Sequence, residues 1–254
     1  MPKGSALCRA EAIRREGAEV VITKHGYDDT VRTAAAYARE KGACLLQDTG
    51  FEGYVKIPQN IVLGYSTMAA EALDQMRAMY GTEPSHVFLQ AGVGSMAGGV
   101  SAFLAHRLSH NPPCFAILEA EETACIYESV RLGKPVAIGG DPRTAMAGLN
   151  CGEPNIHMLP VLRSLAQFYI KCPDEVSFEA MRRLAYPLAG DPAVVSGECG
   201  AVSLGVLMRL MQCGDLAVWR HRMNLDVHSN ILLFSTEGAT DPGHYQLVLQ
   251  EELI

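Results

Sequence analysis

No run of eighteen apolar residues occurs in this sequence, which excludes a single membrane-crossing helix of ordinary length. The opening segment, MPKGSALCRAEAIRREG, has no apolar h-region and carries four basic residues by position 15. It does not read as a secretory signal, so the cytoplasm is the expected compartment. Blocks of five or six like charges are also missing. The net charge is -7 and the basic residues are scattered, which argues against a nucleic-acid surface or a polybasic membrane anchor. None of the eight cysteines forms a CxxC pair, and His221 and His228 have no carboxylate–histidine spacing around them. Zinc-ribbon and thioredoxin readings fail, and no metal site is expected. Internal repeats and low-complexity tracts are absent.

What is present is ordinary globular material. The chain has 254 residues, 48% hydrophobic and 19% charged, enough to bury a sizeable core in one or two domains. Helical periodicity marks Ser5 to Glu16, Asp28 to Glu40 and Pro58 to Tyr80. In the last of these, Ile61, Leu63, Tyr65, Met68, Ala72, Met76 and Met79 form a stripe suited to a core. Short apolar runs predict strands at Ala18 to Thr23, Ala43 to Gln47, His86 to Gln90, Phe115 to Glu119 and Asn230 to Ser235. Further helices are expected at Val100 to Leu108, Glu121 to Arg131, Val161 to Ile170, Ser177 to Ala185 and Ala201 to Met211. Gly133 to Pro160, with five glycines and four prolines, reads as a long ordered loop. Strands alternating with helices imply an α/β chain with a parallel, doubly wound sheet. Ligands of such sheets sit at the carboxyl ends of strands, which singles out the loops that begin at Asp48, Gly92 and Ser235.

The sequence QAGVGSMAGGV, from Gln90 to Val100, follows a strand and precedes a helix. Glycines let backbone N–H groups approach an anion, and a helix N-terminus adds a favourable partial charge, so a phosphate is the natural guest. The bland alternative is a tight turn with no ligand. Gly92, Gly94 and Ala97 fit the looser dinucleotide fingerprint, with Glu119 imitating its ribose-binding acid at a longer separation. A nicotinamide-dependent oxidoreductase is therefore the runner-up.

Several segments, taken together, resemble one family. QAGVGSMAGGV is joined by LLQDTGFEGYVKIP (Leu45 to Pro58), EAEETACIYES (Glu119 to Ser129), IGGDPRTAMAGLNCGEPN (Ile138 to Asn155), SGECGAVSLGVL (Ser196 to Leu207) and FSTEGATD (Phe234 to Asp241). All are similar to the matching stretches of diaminopropionate ammonia-lyases, which are fold-type II pyridoxal-phosphate enzymes. The loop alone would indicate only the broader class; MAGLNCGEPN and STEG narrow it. The resemblance implies a parallel doubly wound sheet of the tryptophan synthase β-like kind. Residues 57–254 would form the large cofactor-binding domain, and residues 1–56 the remnant of an incomplete small domain. It implies pyridoxal 5'-phosphate as cofactor, a small amino-acid substrate, and α,β-elimination of 2,3-diaminopropionate to pyruvate and ammonia. An intact protein of this kind would be a homodimer.

Residue by residue, Asp48 matches a family aspartate associated with proton removal from the D-isomer; the plain alternative is an Asx-turn. Gly92, Val93, Gly94 and Ser95 match the phosphate loop. Ser235 matches a hydroxyl that meets the pyridine nitrogen, with Thr236 its rival and backbone bonding the plain alternative. Cys125 and Cys151 flank the expected site, so a disulfide is conceivable beside the alternative of two buried thiols. Ser196 to Gly200 either lines the site or only caps a helix.

One departure bears on activity. The family's Schiff-base lysine and its SxGNHG-like loop precede the segment matching Met1. None of Lys3, Lys24, Lys41, Lys56, Lys134 or Lys171 stands in a matching context. The expectation is a truncated chain or a fragment, inactive by itself, or a non-catalytic remnant or partner subunit. Lys56 is the lysine nearest to Asp48 in sequence. Exposed apolar residues are expected near Val20 to Ile22 and Leu45 to Leu46, since two strands alone form a poor sheet.

Overall fold

The run HVFLQ forms β1 (His86–Gln90), every residue of which is buried. A strand covered on both faces reads as a continuous apolar run. In the computed structural model, which describes residues 1–140 and 142–250, β1 lies inside a four-stranded parallel sheet. Its partners are β2 (Cys114–Ala120), β3 (Phe168–Cys172) and β4 (Ile231–Leu233), in the order β3-β2-β1-β4. The register sets Phe88 beside Ala116 and Leu233, and Leu118 beside Ile170. Asp141, within the Ile138 to Asn155 segment, lies outside the described residues.

Alternation along the strands divides the core. Val87, Leu89, Phe115 and Ile117 pack on one face against α3 (Lys56–Tyr80) and α4 (Ser95–Arg107), through Ala69, Leu73, Val100 and Leu104. Phe88, Ala116 and Leu118 pack on the other against α7 (Asp174–Ala185) and α8 (Glu198–Gln212), through Val176, Val202, Val206 and Leu210. The chain steps outward from β1 to β2 to β3, then returns to place β4 on the far side of β1. That reversal is the switch point where open parallel sheets form a crevice.

The remaining helices are α1 (Leu7–Arg15), α2 (Tyr27–Lys41), α5 (Cys125–Leu132), α6 (Leu159–Leu165), α9 (Ala217–Arg222) and α10 (Pro242–Gln250). Four expectations are corrected. Ala18 to Thr23 and Ala43 to Gln47 are extended but belong to no strand. The backbone of the first is bonded instead to the chain start, Thr23 N–H donating to the Met1 carbonyl and the Met1 amino group to the Val21 carbonyl. Val21 and Leu46 are 63% and 75% exposed, as expected for strand-like segments without a sheet. Phe168 to Cys172, of which the first three residues read as the end of a helix, is β3, because β2 offers it a free edge. The helix after the glycine loop starts at Ser95 rather than Val100. Pro242 begins α10, a helix in the stretch read only as the loop beginning at Ser235.

The α7–α8 crossing depends on Gly205. A Cβ there would stand 2.1 Å from the Val176 carbonyl oxygen, whereas one on exposed Gly64 within α3 would meet nothing. Gly205→Ala is expected to destabilise the fold by roughly 1–3 kcal/mol. Gly64→Ala should stabilise it by about 0.5–1 kcal/mol. Urea midpoints of the two variants check both, and equal midpoints would show that the crossing is looser than described.

Candidate active site

The crevice holds a cavity of about 440 Å³, within the range of small-molecule sites. Its walls come from the end of β1 (Gln90, Ala91), the glycine loop (Gly92 to Gly94), the first turn of α4 (Ser95 to Ala97), Asp48, Tyr27 of α2, Tyr65 of α3, Gly148, Cys151, Cys199, Thr236 and Glu237. Of the expected residues, Asp48, Gly92, Val93, Gly94 and Ser95 are therefore brought together. Ser235 is not among the walls. Its hydroxyl donates to Ser196 Oγ at 2.9 Å, beside Gly200 of α8. Thr236 takes the position facing the cavity.

Both loop glycines are required by their surroundings. Gly94 has φ +92° and a Cβ there would meet Ile126 Cδ1 at 2.9 Å; a Cβ on Gly92 would meet the Gly148 carbonyl at 2.9 Å. Gly94 caps α4, so the N–H groups of Ser95, Met96 and Ala97 have no acceptor inside the helix. They line the cavity, as does the loop before them. No lysine or arginine lines this cavity among the described residues. What the walls offer an anion is backbone N–H groups and the helix dipole.

Asn155, which sequence reasoning passed over, pins the site together. It is fully buried. Its Nδ2 donates to the Asp48 carbonyl at 2.9 Å and to Ser95 Oγ at 2.8 Å, and its Oδ1 accepts from His157 N–H at 2.9 Å. Its own N–H donates to the Val93 carbonyl at 2.7 Å. Ser95 Oγ in turn donates to the Asp48 carbonyl at 2.8 Å. The Ser95 hydroxyl is thereby committed to structure, and its backbone N–H is what it offers a ligand. The Asp48 carboxyl is left facing the cavity, where burial raises its pKa above the usual carboxylate range. Burial also raises the Tyr27 hydroxyl.

The loop after β4 is held from the other side. Gln90 Nε2 donates to the Phe234 carbonyl at 2.8 Å and to Thr236 Oγ1 at 3.0 Å. Glu237 accepts from the Cys199 N–H at 3.0 Å and from Thr240 Oγ1 at 2.9 Å, and pairs with Arg9 of α1 at 3.4 Å. Neither Gln90 nor Glu237 was singled out from sequence, although both stand inside the quoted segments. Within the SGECG segment Cys199 lines the cavity, while Glu198, buried at the start of α8, bonds His244 Nδ1 at 2.6 Å. Cys125 and Cys151 are separate buried thiols, and Cys151 Sγ sits near Gly92.

Glu119 is not placed to bind a ribose. It is 1% exposed, and its two oxygens accept from the N–H groups of Ile126 and Tyr127 at 2.8 and 2.6 Å. It caps α5, which removes the acid on which the nicotinamide reading rested. A second cavity of about 970 Å³ adjoins the first, sharing Tyr27, Ala147, Gly148 and Glu237 with it. Lys3 lines this second space; Lys56 is exposed and lines neither.

The family described as pyridoxal-phosphate dependent enzyme matches residues 1–220. The chain is 45% identical over 251 residues to the diaminopropionate ammonia-lyase of Escherichia coli (strain K12), covering 99% of this chain and 63% of that one. The structure of the Escherichia coli enzyme in complex with an aminoacrylate-PLP azomethine reaction intermediate superposes with a TM-score of 0.93 at 45% identity, covering 99% of this chain and 64% of that one. The same enzyme in complex with D-serine gives 0.92 at 43% identity, covering 99% and 63%. The chain thus spans a little under two thirds of the length of these relatives. Among the described residues, no single helix is long and apolar enough to cross a membrane.

Two outcomes follow from this geometry. Asn155→Asp keeps the shape but removes the Nδ2 donor, leaving the Asp48 carbonyl and Ser95 short of a partner. A loss of roughly 1–3 kcal/mol is expected in chemical denaturation, since one buried donor is removed while the Ser95 hydroxyl still reaches the Asp48 carbonyl. A change under about 0.5 kcal/mol, the scale of an ordinary surface substitution, would remove Asn155 from its place as the pin.

The second concerns pH. Burial pushes the Glu119 carboxyl up from 4.5 to about 8, against the opposing pull of the two N–H groups. The folded state then holds a proton that the unfolded state releases. This contribution is full below pH 4.5 and is lost as pH rises toward 8, by at most roughly 1.4 kcal/mol per pH unit. Urea midpoints measured from pH 5 to 8 should fall less steeply in Glu119→Gln than in the unaltered chain. Parallel slopes would mean that Glu119 is ionised throughout.

Proposed function

Because this chain belongs to the pyridoxal-phosphate dependent enzymes, we propose that its first cavity holds pyridoxal phosphate and serves the α,β-elimination of 2,3-diaminopropionate to pyruvate and ammonia. The observation that carries the reading is the glycine loop and bare α4 N-terminus sharing one cavity with Asp48 at the switch point of the sheet. The 45% identity to a diaminopropionate ammonia-lyase supports the substrate class, and that enzyme's complex with D-serine supports an amino acid as ligand.

The walls suit the cofactor. The N–H groups of Gly92, Val93, Gly94 and Ser95, with the next turn of α4, are the phosphate ligands in this reading. Thr236, which faces the cavity, takes the pyridine nitrogen in preference to Ser235, whose hydroxyl is bonded to Ser196. When bound, the cofactor supplies an electron sink for charge developing at the substrate Cα. Asp48 takes the Cα proton of the D-isomer. Its burial makes it a stronger base than an exposed carboxylate, and Asn155 and Ser95 hold its backbone in place. Tyr27 and Tyr65 close the wall beside it and exclude water. In this division residues 1–56 bring Asp48 and Tyr27, and residues 57–254 bring the cofactor contacts.

No lysine lines the first cavity among the described residues, so an amine from outside its wall has to activate the cofactor aldehyde. Purified chain given pyridoxal phosphate and D-2,3-diaminopropionate is expected to release pyruvate no faster than free cofactor does. Added methylamine, standing in for a lysine, should raise the rate. Asp48→Asn should lower the amine-dependent rate roughly a hundredfold or more. A lactate dehydrogenase coupled assay reads pyruvate directly. Release that responds to neither methylamine nor Asp48→Asn would overturn the reading. Borohydride labelling of the chain locates any lysine that contributes, and Lys3, at the adjoining cavity, is the first to inspect.

A further inference from the structure

Gln90 ends β1 with 2% of its surface exposed, and it lines the first cavity. Its side-chain amide can be oriented without ambiguity. The Phe234 carbonyl, 2.8 Å away, can only accept, so Nε2 must lie on that side. The second hydrogen of the same nitrogen reaches Thr236 Oγ1 at 3.0 Å. Oε1 is buried with no hydrogen-bond partner among the described residues, a cost the side chain bears for holding this orientation.

A hydroxyl has one hydrogen. With Thr236 Oγ1 accepting from Gln90, its own hydrogen is free to point elsewhere, and Thr236 faces the cavity. We propose that Gln90 is a positioning residue that makes the Thr236 hydroxyl a hydrogen-bond donor toward the pyridine nitrogen of the bound cofactor. The inference rests on the cofactor reading above and deepens it. A donor directed at the ring nitrogen stabilises its lone pair and holds the ring unprotonated. Were the hydroxyl hydrogen drawn toward residue 90 instead, oxygen lone pairs would face the ring nitrogen and favour its protonation. Ser235 cannot serve equally, because its hydrogen is directed at Ser196.

The test uses deoxypyridoxine phosphate, which has no aldehyde and so needs no lysine. With the ring nitrogen labelled with heavy nitrogen, NMR of the bound ligand follows ring protonation as pH is varied. In the unaltered chain the bound ring is expected to protonate about one pH unit or more below the free ligand, the shift worth one hydrogen bond to the unprotonated form. Thr236→Val should abolish that difference. Gln90→Glu, whose carboxylate draws the hydroxyl hydrogen to itself, should reverse it. Gln90→Met, uncharged and of similar volume, should lose most of it, and remains informative if the glutamate variant fails to fold. A ring that protonates at the unaltered chain's pH in both Gln90 variants, while Thr236→Val loses the effect, would overturn the role of Gln90 alone. Failure of the unaltered chain to bind the ligand, or binding that inorganic phosphate does not displace, would overturn the cofactor reading itself and this inference with it.

Discussion

Parallel pairing of β1 with β2 on one side and β4 on the other is the constraint from which the site follows. Parallel strands all finish at one edge of the sheet, so the loops after β1 and β4 leave the core side by side. Because the chain proceeds outward through β2 and β3 before β4 returns, those two loops lead away in opposite directions and leave a crevice between them. Both faces of the sheet are covered by helices, and every residue of β1 is buried. A register slip would bring Gln90 into the apolar interior, so the polar end of β1 is held at the crevice by the burial of the rest.

Electrostatically the crevice is unusual for an anion site. Two carboxylates, Asp48 and Glu237, line it, and no basic side chain does among the described residues. Glu237 is occupied by Arg9, Thr240 and the Cys199 N–H, which draws its charge toward the loop and away from the open space. Asp48 has no cation beside it, and burial works against its ionisation, opposed in part by hydrogen bonds from Ser95 and the backbone. What the crevice offers an anion is therefore the N–H groups fixed by a helix and two glycines. Such dipoles are already oriented before a ligand arrives, so little reorganisation is needed on binding.

The first 56 residues are tied to this arrangement through polar contacts more than through apolar packing. Asn155 and Ser95 hold the Asp48 carbonyl; Arg9 reaches Glu237 and Thr240; Arg32 pairs with Glu153, and Asp28 accepts from the Gly152 N–H. Val21 and Leu46 meanwhile remain exposed on extended segments that pair with no strand. Segments joined to a core by few, partly exposed bonds open at lower free energy than the strands beneath them. Opening is thus cheaper along the exposed extended segments than at Asp48, which Asn155 and Ser95 tie to the glycine loop.

Much of this was legible in the sequence for a local reason. Buried parallel strands need unbroken apolar runs, which made HVFLQ, FAILE and NILLFS readable, and a strand–helix turn that approaches an anion needs glycine, which made QAGVGSMAGGV readable. The glycine loop could be read from its composition, whereas Asp48 was singled out only by the resemblance of its segment to a known family. What stayed hidden depends on partners distant in the chain. Phe168 to Cys172 has the periodicity of a helix end and becomes a strand only because β2 presents an edge to it. Ala18 to Thr23 and Ala43 to Gln47 have strand composition and no neighbour to pair with. The placing of Thr236 rather than Ser235 on the cavity wall, the work of Asn155 across three loops, and the use of Glu119 as a helix cap come from tertiary structure alone. A hydrogen bond to a residue a hundred positions away is set by which side chains the fold brings within 3 Å, and no local pattern encodes that meeting.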